Sequence, residues 1–178
     1  MALVVFLKGI NVGGHRSLRP SELAARLASV DLVSVGAAGT FIVRGLVRRS
    51  ELRTMLEAEL PFSTSIIVRT SREILGMVAT DPFVGQPTRR DIVRFVGIRA
   101  TGRALPSELP SQLPATGRWE VKVLGHQGPF VLGIHRRAMR AIGHLAQLGA
   151  LLGEPMTVRS WSTITQVARL LNGSTQRR

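Results

Sequence analysis

Ala2-Leu3-Val4-Val5-Phe6-Leu7-Lys8-Gly9-Ile10-Asn11-Val12-Gly13-Gly14-His15 decides how the rest of the chain is read. A continuous apolar run, residues 2 to 7, predicts a buried strand, and a glycine-rich polar loop leaves it. Pro20 and Glu22 then mark the first turn of a helix on which Leu23, Ala24 and Leu27 share a face. Strand, glycine loop and helix form the opening unit. The glycines let the backbone reach positive φ and come close to a guest. Lys8, Asn11, His15, Arg16 and Arg19 supply charge and hydrogen-bonding capacity around it.

Outward from this unit, Leu32 to Val35 and Phe41 to Val43 read as short strands joined through Gly36-Ala37-Ala38-Gly39. Ser50 is placed to cap a helix running to about Leu60, with Leu52, Met55, Leu56 and Leu60 on one stripe and Pro61 stopping it. Ser65 to Val68 supplies a fourth strand, and the order is βαββαβ, the split ferredoxin-like unit. A helical turn over 71–79 leads to Asp81-Pro82-Phe83-Val84-Gly85-Gln86-Pro87, whose turn chemistry marks a connector.

The order then begins again, with a strand over 91–98 and a proline-broken helix over 105–113. Strands at 119–124 and 130–134 flank Gly125-His126-Gln127-Gly128 as a hairpin; a helix over 138–152, a strand over 156–158 and a last helix over 161–171 follow. The expectation is an α+β chain of two ferredoxin-like βαββαβ subdomains in tandem, residues 1–80 and 88–178, with an added C-terminal helix. No residue-level repeat accompanies that order.

Composition excludes several chemistries. The 178 residues contain no cysteine, which removes disulfides, thiolate nucleophiles and Cys-containing metal sites. Histidines at 15, 126, 135 and 144 never take the i, i+4 spacing of a paired metal site, so no metal and no cofactor are expected. No apolar run approaches the ~18 residues of a membrane span, and a cytoplasmic protein without membrane contact is the expectation.

A net charge of +13 and 24 basic residues match the footprint of a nucleic-acid binder. Yet 22 of them are arginine, a skew that coding bias produces equally, and they fall as pairs at 48–49, 89–90, 136–137 and 177–178 rather than in one run. Phe6 and Phe41 would occupy adjacent central strands, where RNA-recognition modules place stacking rings, although an all-apolar first strand favours a core role.

Gly9 to Arg16 reads G-x-x-x-x-G-H-R, a near miss to the phosphate-binding P-loop, because His15 and Arg16 stand where Lys and Ser or Thr are needed. The G-x-G-x-x-G dinucleotide fingerprint is absent too. Loop N–H groups and a helix start beside Lys8, His15 and Arg19 remain a means of holding a phosphate or carboxylate. Against this, Gly13-Gly14 can simply turn the chain while Asn11 ties the loop to itself. Trp161 shares a helical stripe with Ile164, Ala168 and Leu171, with Ser160 placed to cap that helix.

The loop at 7–15, the Ala38-Gly39-Thr40 turn and Thr157-Val158-Arg159-Ser160-Trp161-Ser162-Thr163 together resemble a bacterial family known as domain of unknown function 1697. The resemblance implies a two-part α+β protein and no assigned activity. Family members usually carry Ser-Gly-Asn at 38–40, Arg-Asn-Trp-Asn-Thr at 159–163 and a lysine where Gln166 stands, so this chain has lost amide and ammonium groups at four polar positions.

The residues expected to bind are therefore Lys8, Asn11, Gly13, Gly14, His15, Arg19 and Arg159, with an anionic ligand, nucleic acid or a phosphorylated small molecule, as partner. Two alternatives stand beside this reading. One is an enzyme acting on a small anionic substrate with His15 as acid or base, though no catalytic set is assigned. The other is a fold-preserving relative whose site has decayed.

Overall fold

The computed structural model describes residues 1–11, 17–106 and 109–175. The chain divides into two compact units, Met1–Val78 with Thr165–Arg178, and Ala79–Ile164.

In the first unit β1 (Leu3–Leu7), α1 (Pro20–Arg26), β2 (Leu32–Val35), β3 (Thr40–Val43), α2 (Arg49–Glu59), β4 (Ile66–Thr70) and α3 (Ser71–Ala79) follow one another, with a 3-10 turn at Ala28–Val30. The strands pair antiparallel throughout in the order β2-β3-β1-β4. Every residue of β1 is buried, which is why its sequence runs apolar without alternation. Leu3, Val5 and Leu7 enter a core with Phe41, Leu23, Leu52 and Leu56. Val4 and Phe6 turn the other way and are equally enclosed.

That register settles the aromatic pair. Val5 lies opposite Phe41 and Phe6 opposite Thr40, so the two rings face opposite sides of the sheet. Both are fully buried, and no stacking platform forms.

Helix α2 starts two residues earlier than its serine suggested. Arg48 holds the N-cap position with no side-chain cap, and Ser50 lies inside the helix. α3 instead carries a reciprocal capping box: the Thr70 N–H donates to Glu73 Oε2 at 2.7 Å, and the Glu73 N–H donates to Thr70 Oγ1 at 3.2 Å. Strand β4 thus passes into α3 without a loop.

The second unit holds β5 (Ile92–Arg99), β6 (Gln112–Leu113), β7 (Val121–Gln127), β8 (Phe130–Arg136), α4 (Met139–Leu151) and β9 (Met156–Ser160), which runs straight into α5 (Trp161–Thr175). Its antiparallel sheet has the order β6-β7-β8-β5-β9. The helix expected over 105–113 is not there: among the described residues of that stretch the only regular element is the two-residue edge strand β6. Pro106, Pro110 and Pro114 each lack an N–H, and they defeat helical continuity. β9 is longer than expected, reaching Ser160 through five residues.

Gly133 on β8 explains how tightly this sheet closes. A Cβ there would lie 2.4 Å from the Lys122 carbonyl oxygen and 2.5 Å from the Phe95 ring. Phe95, Val121, Val131, Ala141, Leu148 and Met156 form the core of the unit.

A buried ion pair is fixed at one end of β5. Arg99 is 1% exposed and binds Glu154 through Nε at 2.6 Å. Glu154 Oε2 also accepts from the Thr101 N–H and hydroxyl, each at 2.6 Å. Burial pushes the Glu154 carboxyl up, but the Thr101 hydrogen bonds and the Arg99 guanidinium outweigh it and hold the group below its ordinary value.

Candidate functional site

The loop after β1 is closed at its base by one side chain. Asn11 sits at φ 55, a left-handed conformation that asparagine tolerates better than most residues. Its Nδ2 donates to the Leu18 carbonyl at 2.9 Å and the Ala37 carbonyl at 2.8 Å, while its Oδ1 accepts from the Leu18 N–H at 2.8 Å. Asn11 therefore bridges both ends of the loop and the neighbouring turn.

That turn is packed hard against the loop. Gly39 has φ +73, its carbonyl accepts from the Leu7 N–H at 2.8 Å, and a Cβ added to it would stand 2.5 Å from Ile10 Cδ1. Only glycine meets both the angle and the space. Ala38 is exposed beside it, and Thr40 is fully buried in β3.

The charged groups of this region are placed as follows. Lys8 is exposed, with its N–H donating to the Ser65 carbonyl at 3.1 Å and its carbonyl accepting from the Thr64 hydroxyl at 2.5 Å. Its ammonium is thus carried on a backbone tied on both sides. Arg19 is exposed and pairs with Glu22 at 3.0 Å, so the first turn of α1 already faces its own carboxylate. Gly13, Gly14 and His15 lie outside the described residues.

Arg159 belongs to the second unit. It lies on β9 opposite Val96, is 6% exposed, and its Nη1 donates to Thr157 Oγ1 and the Val158 carbonyl, each at 2.8 Å. Burial lowers its pKa to about 10, still far enough above neutrality to keep it charged. Ser160 Oγ accepts from the Thr163 N–H at 3.3 Å and so caps α5, as its sequence position suggested. The Trp161 ring packs on Phe83 with centroids 4.9 Å apart.

Three features escaped the sequence reading. Arg69 on β4 is 4% exposed, lies opposite Val4, and pairs with Glu73 at 3.6 Å. It occupies the same place in the first unit as Arg159 does in the second. The signal was present: Val68-Arg69-Thr70 with Ile74 parallels Val158-Arg159-Ser160 with Ile164, the same residue types at the same offsets. Glu154 and Arg99, 55 residues apart, left no such signal. Nor did Trp119, whose ring carries Arg136 Cζ at 4.3 Å and Lys122 Nζ at 5.0 Å.

Among the described residues no group of three or more His, Asp or Glu stands together to hold a metal, and no helix is long and apolar enough to cross a membrane. A cavity of about 290 Å³ lies between the proline segment and β7, lined by Leu105, Pro106, Leu109, Val123, Leu124 and His126 among others. It shares no residue with the loop region.

No curated protein matches the chain. Among solved structures it is similar to the conserved bacterial protein SP0830 from Streptococcus pneumoniae, with a TM-score of 0.55 and 16% identity over 96% of this chain and 98% of that one. At that identity the likeness concerns fold alone. The family described as protein of unknown function (DUF1697) matches residues 1–111, well over half of the sequence and including the glycine loop and the Ala38-Gly39-Thr40 turn, and the chain belongs to that family.

Proposed function

We propose that this protein binds an anionic ligand, a nucleic acid or a phosphorylated small molecule, at the loop spanning residues 8–19. One observation carries the reading: the Asn11 side chain fastens the base of the loop to Leu18 and Ala37, with the exposed cations Lys8 and Arg19 just outside it. A fastened base reduces the ordering cost of binding, and cations at its rim favour a negative guest. In this reading Gly13, Gly14 and His15 supply the amides and the ring that meet the ligand.

The reading extends to the setting. Residues 1–80 and 88–178 are taken as two ferredoxin-like subdomains joined by 81–87. The order β2-β3-β1-β4 supports this for the first, and its counterpart β7-β8-β5-β9 for the second. The protein is placed in the bacterial cytoplasm.

The test is titration of labelled single-stranded RNA and duplex DNA at two salt concentrations, beside a thermal-shift screen with nucleotides and phosphorylated metabolites. A Lys8→Ala, His15→Ala variant is expected to weaken the responding ligand at least tenfold, and Arg177→Ala, Arg178→Ala less than twofold. No response from any ligand in the wild-type protein removes the proposal. It would favour a fold-preserving relative without a working site, a reading supported by Arg159 bonding within its own strand.

A further inference from the structure

Two of the four arginine pairs that the sequence scatters are brought to one end of the second unit's sheet. Ile92, which follows Arg89 and Arg90 after one residue, lies opposite Arg136, so residues 89–91 and 136–138 run side by side. The Arg137 N–H donates to the Asp91 carbonyl at 2.8 Å, and Arg137 Nε to the Arg90 carbonyl at 3.2 Å. The start of β7 completes the row: the Arg136 N–H donates to the Glu120 carbonyl at 2.8 Å, and Arg136 Nε to the Trp119 carbonyl at 2.9 Å. Arg118 precedes Trp119 on that side, and Arg140 lies in the first turn of α4 on the other.

Arg89, Arg90, Arg118, Arg137 and Arg140 are exposed here. The carboxylates among them are few. Asp91 pairs with both Arg89 at 3.0 Å and Arg136 at 3.5 Å, and burial's upward push on it is outweighed by those guanidiniums, so its carboxyl sits below the ordinary value. Glu120 has a buried Oε2, and the first turn of α4 carries no acid. The remaining positive charge is held on a rigid frame of strand pairing and faces solvent.

We infer that this end of the sheet is a contact surface for the phosphate backbone of single-stranded nucleic acid. The cations come from three adjacent strand ends, ~5 Å apart from strand to strand, which spreads them along a line as phosphates are spread along a chain. They are arginines, whose planar forks pair with phosphate oxygens bidentately. The surface is distinct from the 8–19 loop and does not rest on it. An anionic lipid surface would draw instead on exposed Met139 and Ile142, a small apolar contribution without a free aromatic anchor.

The test uses the full chain and a labelled RNA 20-mer, titrated at two salt concentrations. Arg90→Glu, Arg140→Glu is expected to weaken binding at least tenfold and to flatten the salt slope by about 1.4 if two phosphate contacts are lost. Arg177→Ala, Arg178→Ala is expected to change affinity less than twofold. Should the charge-reversal variant fold poorly, Arg90→Gln, Arg140→Gln is read in its place, with an expected loss of at least threefold. RNA affinity unchanged by these substitutions, equal loss from the 177–178 variant, or binding to phosphatidylserine vesicles but not to RNA, each overturns the inference. Loss here with loop-ligand binding retained separates this surface from the loop.

Discussion

The corners at 68–74 and 158–164 are built alike and bonded differently. In each, the last strand of a unit passes straight into a helix, a hydroxyl residue caps that helix, and a buried arginine stands one residue before the cap. The position three residues after the cap differs. Glu73 fills it in the first corner and both closes the capping box and pairs with Arg69; in the second, Thr163 fills it, and Arg159 bonds to Thr157 Oγ1 and the Val158 carbonyl. One corner holds its buried charge with a carboxylate on its own turn. The other bonds its arginine to two neutral oxygens of its own strand, and burial lowers that arginine's pKa to about 10. The second unit spends its buried carboxylate elsewhere, on Arg99.

The sharpest way to break this contrast is at Glu154. Glu154→Ala leaves Arg99 enclosed without its carboxylate and is expected to cost about 3–5 kcal/mol, measured by denaturant unfolding. The pH dependence follows from the sign of the shift. A carboxyl held below 4.5 in the folded chain stabilises fully above that value, and the contribution is lost as pH falls through the lower folded value. Acid unfolding of Glu154→Gln is expected to be flatter below pH 4.5 than that of the wild type, and parallel curves would contradict the pairing.

Glu73→Ala comes next in size. It removes a capping-box partner and a half-exposed ion pair together, for an expected loss of about 2 kcal/mol. A cost below about 0.5 kcal/mol would mean that the carboxylate is incidental to the first corner. The smallest effect tests the converse: Thr163→Glu writes the first corner's capping box into the second, and a gain of about 0.5–1 kcal/mol at neutral pH is expected, fading in acid.

Much of the first unit was legible because its elements announce themselves locally. The apolar run at 3–7, Pro20 at a helix start and Pro61 after a helix end are each a cue within a few residues. Ser50 misleads because a good capping residue two places past the true cap is indistinguishable in sequence from one at the helix edge. The 105–113 stretch misleads because a repeated order of elements asks for a helix where Pro106 and Pro110 interrupt one. At the site, Asn11 fitted a self-tying role from residue type alone, and its partners Leu18 and Ala37 confirm the bonds. Ala37, 26 residues distant, was invisible to spacing. The gathering of Arg89-Arg90 with Arg136-Arg137 was beyond reach for the same reason, since strand register, not proximity in sequence, joins them.

Gly39 carries a consequence of its own. Because Ile10 fills the volume a side chain at 39 would claim, and Asn11 reaches over to Ala37, two stretches of sequence about thirty residues apart behave as one mechanical part. Grafting either stretch alone from a relative would put mismatched halves together, whereas transplanting both at once would carry the joint across whole.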